Sequence, residues 1–182
     1  MNKNFDYIDD IDVKQLEFTI QNIDNDEWDK NDYRQKTFPM HNDTKTLFVM
    51  WSDLGDEKVF TGESNPKHLS LYKKFEKDIE IIEKKLYKNF DGGRIIRLIA
   101  VKLPGGGYID THKDFGKQLE SGHRIHIPVI TNESVLFTIG NETINMKQGE
   151  IWEINNQEEH SVVNDSIFDR IHLIIDWIKN DN

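Results

Sequence analysis

In the stretch YIDTHKDFG, directly after the turn Pro104 to Gly107, Asp110, His112 and Asp114 occupy alternate positions. In an extended strand, residues two apart share a face, so two carboxylates and an imidazole would project together. Such a face is either solvated or part of a metal site. A third donor could come from His160 in EEHSVVN. Two neutral imidazoles and one carboxylate leave three positions on a metal open, the arrangement suited to non-haem Fe(II) oxygenases. A 2-oxoacid cosubstrate can fill two of these positions and dioxygen the third. The same donors can also hold zinc and activate water for hydrolysis. Asp110 and Asp114 are each two residues from His112, so periodicity does not choose between them.

Two arginines bear on that choice of chemistry. In FDRIHLIIDW, Phe168, Arg170, His172, Ile174 and Asp176 should share one face, opposite Ile171, Leu173, Ile175 and Trp177. A strand apolar on both faces is buried, and a guanidinium inside it needs an anion. That anion is a bound dicarboxylate, gripped by two parallel hydrogen bonds, or a protein acid such as Asp176. Arg124 in HRIHIPV raises the same question and shares a face with His126 and Pro128. A 2-oxoglutarate pocket accounts for both arginines, whereas a zinc hydrolase needs neither. His123, an odd number of positions from His126, faces the other way. His172 can touch a cosubstrate or simply pack; His41 and His68 receive no role. No G-x-S-x-G elbow occurs, and Gly105 to Gly107 lack the lysine and helix of a P-loop.

The elements that must position these residues are mostly short β-like runs. From Arg94 onward RIIRLIAVKL, GYIDTHKD, RIHIPVI, SVLFTIG, TINMK, EIWEIN, HSVVN and FDRIHLIIDWI alternate with turn signals at Pro104–Gly107, Gly140-Asn141, Gln148-Gly149 and Asn164-Asp165. Upstream, TLFVMWS reads as a buried strand. A helix is expected from near Ser64-Asn65-Pro66 to about Phe90, with Tyr72, Phe75, Ile79, Ile82 and Leu86 on one face and Gly92 as its stop. The apolar residues of positions 1–40 are expected to wrap onto the core. The fold class is α+β, mainly β: a double-stranded β-helix of jelly-roll or cupin-like type, with N-terminal helices packed on the sheet. One domain is expected over 1–182, with 1–93 as support and 94–179 as the core.

Composition narrows the function classes. The 182 residues suffice for one domain, and no apolar run approaches the roughly 20 residues of a membrane span. The acidic start lacks the pattern of a signal peptide, so a cytoplasmic location is expected. With no cysteine, a metal must be held by His, Asp or Glu. Nine acids against three lysines in residues 1–30 supply −6 of the net charge of −10. This balance disfavours nucleic acid as a partner.

From Arg97 to Trp177, RLIAVKLPGG, His112-x-Asp114, RIHIPVITN, MKQGEIWEINNQEEHSVVN and DRIHLIIDW follow one another in an order that resembles the aspartyl/asparaginyl β-hydroxylase family. Its members are Fe(II)- and 2-oxoglutarate-dependent oxygenases with a double-stranded β-helix fold; residues 1–90 match only loosely, around HNDTKTLFVMW. The resemblance implies that His112, Asp114 and His160 are iron ligands and that Arg170 holds the distal carboxylate of 2-oxoglutarate. Arg124 is implied near the metal-side carboxylate, with His126 lining the same pocket. Family order favours Asp114 over Asp110. The vertebrate enzymes lack the carboxylate ligand and carry tetratricopeptide repeats absent here, so the chain looks closer to small bacterial and phage members, including free-proline hydroxylases. The implied substrate is an amino acid, or an Asp, Asn or Pro residue in a peptide. The alternatives are a zinc-dependent hydrolase and a non-catalytic jelly-roll module binding a metal or small acid.

Overall fold

The last strand organises the molecule. Its sequence, RIHLIIDWI, spans Arg170–Ile178 (β11) and is buried at every position. Ile171, Leu173, Ile175 and Trp177 face a large core shared with helices, whereas Ile174 packs with Ile99 and Val101 on the opposite face. The alternation read from the sequence therefore holds, and it separates a purely apolar face from one that carries Arg170, His172 and Asp176. The computed structural model describes residues 3–53, 58 and 64–179.

β11 is flanked by antiparallel partners, Arg94–Leu103 (β4) and His123–Ile130 (β6). The sheet continues through Lys45–Trp51 (β2) and Lys67–His68 (β3) on one side, and through Glu150–Ile154 (β9) and Phe5–Asp10 (β1) on the other. A second antiparallel sheet combines Tyr108–His112 (β5), His160–Asn164 (β10), Val135–Ile139 (β7) and Glu142–Ile144 (β8), in that order. Between the sheets lies a core that includes Phe5, Leu103, Ile109, Phe137, Ile154 and Val162. The architecture is a jelly roll.

Two helices cover the far face of the larger sheet. Lys14–Gln21 (α1) contributes Leu16 and Ile20, and the later helix Tyr72–Phe90 contributes Phe75, Ile79, Ile82, Leu86 and Phe90. Each such apolar side chain, taken from water, contributes about 1.5–3 kcal/mol. Asn25–Asp29 (α2), Tyr33–Thr37 (α3) and a 3₁₀ turn at Pro39–His41 carry the chain from α1 to β2. We number the long helix α4 and Lys117–Ser121 α5.

The start of α4 differs from the sequence expectation. Ser64 to Pro66 do not open it; Lys67 and His68 pair instead with Trp51 and Met50, and helix begins at Tyr72. Extending the sheet satisfies backbone groups that a helical turn there would have left open. The end fits the expectation: Asp91 adopts the left-handed conformation at φ 54° and the Gly92 N–H closes on the Tyr87 carbonyl at 3.0 Å. Residues 5–10, read only as part of a wrap, form an edge strand of the larger sheet. Among the described residues, no helix is long and apolar enough to cross a membrane.

Candidate metal centre and adjoining chamber

His112 and His160 are paired neighbours on the antiparallel strands β5 and β10, and their rings lie 4.2 Å apart between centroids. Asp114 follows two residues after β5 ends, so it reaches the cluster from a loop and not by strand alternation. One ligand atom from each of His112, Asp114 and His160 lies within 4.8 Å of the others. Asp110 is exposed and serves through its backbone, its carbonyl accepting from His112 Nδ1 at 2.7 Å. His160 Nδ1 donates to the Glu158 carbonyl at 3.0 Å. A carbonyl can only accept, so both rings carry their proton on Nδ1 and keep the Nε2 lone pair free for a cation.

The loop before β10 holds the Asp114 segment in place. The Asp114 N–H donates to the Asn156 carbonyl at 3.1 Å, while Asn156 Nδ2 and Gln157 Nε2 donate to the Leu119 carbonyl at 2.8 and 3.2 Å. The polar run NNQEEH is thus a clamp between the two segments that carry the candidate ligands. Asp114 Oδ2 is buried without a hydrogen bond, although Arg124 Nε lies 3.5 Å away. Burial opposes ionisation of Asp114, but Arg124 outweighs it, helped by His160 and His112, and holds the carboxyl below its ordinary range. Burial lowers the His160 pKa and keeps that imidazole neutral. A buried, ionised, under-bonded oxygen beside two Nε2 lone pairs is a donor set fitted to a divalent cation.

Arg124 does not stand free. Its Nη1 donates to Asp176 Oδ1 at 2.6 Å, and Asp176 Oδ2 meets Arg97 Nη2 at 2.5 Å, forming a row across β6, β11 and β4. The Arg124 guanidinium is held charged: burial opposes this, but Asp114 and Asp176 prevail. Asp176 therefore pairs with Arg97 and Arg124, and the ion pair weighed for Arg170 does not form. Arg170 is fully buried, and none of its three guanidinium nitrogens has a hydrogen-bond partner among the described residues. Burial, reinforced by Arg34, pushes its pKa down to about 9. A guanidinium does not give up its proton in a protein, so Arg170 is a buried cation without a counter-charge among the described residues.

Arg170 and His126 line one chamber together with His112, His160 and Phe137. His126 is buried with neither ring nitrogen bonded, and burial followed by Arg124 drives its pKa well below 6.5. His172 is equally enclosed, 5.9 Å from the His126 ring. His123 turns away and bonds Glu153 at 2.7 Å, as its odd spacing from His126 requires. The Gly105 to Gly107 segment is a turn, with the Gly107 N–H on the Pro104 carbonyl at 3.0 Å. An outer vestibule joins the chamber at His112 and Arg124 and is walled by Trp51, Phe115, Leu119 and Arg97.

The sequence reading missed two residues that border both spaces: Arg34 and His41. Arg34 Nη2 lies 2.9 Å from His41 Nε2, and the His41 ring meets His112 edge-on at 5.0 Å. The one signal was positional, since His41 opens the loosely matching HNDTKTLFVMW.

Fold and side chains together define a jelly roll whose mouth gathers a two-histidine, one-carboxylate cluster above an enclosed arginine. The chain belongs to the aspartyl/asparaginyl β-hydroxylase family, whose model matches residues 13–180. Two solved structures share the fold. One is an oxidoreductase of the 2OG-Fe(II) oxygenase family from Burkholderia pseudomallei, 12% identical, with a TM-score of 0.58 over 76% of this chain and 71% of that one. The other is the viral collagen prolyl hydroxylase of Paramecium Bursaria Chlorella virus-1, solved with 2OG, 10% identical, with a TM-score of 0.56 over 97% and 96%. No curated protein matches the chain.

Proposed function

We propose that the chain is an Fe(II)- and 2-oxoglutarate-dependent dioxygenase that hydroxylates a C–H bond of a free amino acid or of an Asp, Asn or Pro residue in a peptide. When bound, iron(II) with 2-oxoglutarate and dioxygen supplies the oxidant that converts C–H to C–OH, with succinate and carbon dioxide as co-products. His112 and His160 would hold the ion through Nε2, and Asp114 through its under-bonded carboxylate. Arg170 would grip the distal carboxylate of the cosubstrate, and His126, which lines the same chamber, would help orient it. Arg124, tied to Asp176, keeps Asp114 ionised and positioned.

One observation carries this reading: the partnerless Arg170 guanidinium in a chamber that ends at the two histidines. A zinc hydrolase needs no buried anion grip there. A non-catalytic binding module would hold the same ligands without turnover, so activity decides between them. Succinate release is to be measured with Fe(II), 2-oxoglutarate and a panel of amino acids and peptides. The expected result is iron-dependent succinate, stimulated by at least one panel member and abolished in His160→Ala and Asp114→Ala. Undiminished turnover in both variants would refute the site.

A further inference from the structure

Arg34 is an arginine without an anion. It is delivered by α3, is 7% exposed, and has only neutral partners: Thr46 Oγ1 at 3.4 Å and His41 Nε2 at 2.9 Å. Among the described residues no carboxylate pairs with it, because Asp114 lies against Arg124 and Asp176 against Arg97 and Arg124. His41 must accept from the guanidinium through Nε2, so its proton sits on Nδ1. That buried atom has no hydrogen-bond partner among the described residues. A guanidinium without a counter-charge and one unused ring N–H thus stand together where the chamber meets the vestibule.

The charges around the site point to what they await. Four arginines, at 34, 97, 124 and 170, line the joined cavities against two aspartates, at 114 and 176. Lys113 also lines the vestibule but leans outward to Glu158 at 3.9 Å. A divalent cation and a doubly charged 2-oxoglutarate cancel each other, so an excess of two positive charges survives loading. 2-Oxoglutarate has only two carboxylates, and Arg170 and the metal account for both. Burying an uncompensated guanidinium is costly, and a further anion is the way to offset it.

Resting on the function proposed above, we infer that Arg34, with His41 beside it, anchors a carboxylate of the substrate at the inner end of the vestibule. The substrate class is then a small free carboxylic acid, the anion against Arg34 and the rest of the molecule among Tyr33, Phe38, Trp51 and Leu119. An amino acid with an unblocked carboxyl group satisfies this; an internal peptide residue without a carboxylate does not. A carboxylate at Arg34 could also come from the cosubstrate, so the test separates the two sources.

Wild type, Arg34→Gln and Arg34→Lys are loaded anaerobically with Fe(II) and titrated calorimetrically with 2-oxoglutarate. With 2-oxoglutarate saturating, each then receives L-proline, L-asparagine and L-aspartate, and afterwards L-prolinamide, the α-amide of asparagine and the diamide of aspartate. The first titration also reports folding, because the chamber must be intact to bind. The expected result is 2-oxoglutarate affinity within about threefold across the three proteins, and at least one free acid bound by wild type. That acid should bind about ten- to a hundredfold more weakly as its amide or to Arg34→Gln, the range of a lost charged hydrogen bond, with Arg34→Lys intermediate. A parallel loss of 2-oxoglutarate in Arg34→Gln would give the carboxylate to the cosubstrate and overturn the inference. Equal binding of acid and amide, or no panel member bound by wild type, would overturn it too while leaving the dioxygenase reading intact. Wild type failing to bind 2-oxoglutarate at all would remove that reading, and this inference with it.

Discussion

Replacing Asp176 by Asn tests how the larger sheet supports the metal end of the site. Asp176 is 3% exposed and faces Arg124 at 2.6 Å and Arg97 at 2.5 Å across two strand pairings. The amide can still accept from one guanidinium, but its NH₂ then points at the other, and two buried cations lose their shared counter-charge. Breaking a buried pair by removing one partner costs about 3–5 kcal/mol. Against a net stability of about 5–15 kcal/mol that is a large fraction. At about 2–4 °C per kcal/mol for a chain of this size, the melting temperature should fall by roughly 6–20 °C. Arg124 is then left with Asp114 alone, so the proposed ligand carboxylate is drawn toward it and Fe(II) affinity should fall about tenfold. Urea unfolding followed by tryptophan fluorescence gives the first quantity and anaerobic metal titration the second. The double variant Arg97→Met/Asp176→Asn should recover part of the lost stability, since one of the facing cations is gone. A single variant whose stability stays within about 0.5 kcal/mol of wild type, far below the cost of breaking a buried pair, would refute the claim that this row is desolvated and mutually dependent.

Three further outcomes are expected. Arg170→Met should melt at or above wild type without cosubstrate, because it removes an uncompensated buried charge. It should also gain no thermal stabilisation from Fe(II) with 2-oxoglutarate, whereas wild type does, as paired melting curves will check. Burial lowers the pKa of His41 to about 2 and drives His126 and His172 well below 6.5, so these rings stay neutral when folded while the unfolded chain takes up protons as pH falls through 6.5. Stability should therefore decline on acidification, by about 1 kcal/mol per group and roughly 3–4 in all between pH 7.5 and 5.5, as the urea midpoint will report. Gly93→Ala would place a methyl 2.4 Å from the Ile178 carbonyl oxygen and the Trp177 indole at φ +115°; a loss of at least about 2 kcal/mol is expected, with Fe(II) affinity unchanged.

The second half of the chain was legible because its strands carry their own signals. β4, β6 and β11 are apolar runs bounded by turns, and the face alternation of β11 placed Arg170 and Asp176 together before any partner was known. Which arginine Asp176 pairs with was not legible, because register across a sheet is a tertiary property: Asp176 sits opposite Arg97 and Arg124. β1 was hidden by its acids; in FDYIDD only Phe5 is fully buried, since an edge strand needs just one inward face. The helix start was misplaced because a Ser-Asn-Pro signal is local, whereas the unpaired end of β2 recruited Lys67 and His68. Asp114 reaches the cluster through the clamp of Asn156 and Gln157, which strand periodicity could not foresee. Arg34 and His41 carry no local pattern, and only the path from α1 to β2 brings them to His112.

The proposed function stands or falls on whether His112, Asp114 and His160 hold one metal ion whose presence lets Arg170 and the chamber bind 2-oxoglutarate. Anaerobic equilibrium dialysis of Fe(II), with and without 2-oxoglutarate, tests it directly. One tightly bound ion per chain is expected, with 2-oxoglutarate retained only when the ion is present and both lost in the triple variant His112→Ala/Asp114→Ala/His160→Ala. Iron held by the folded triple variant with wild-type stoichiometry and affinity would contradict it.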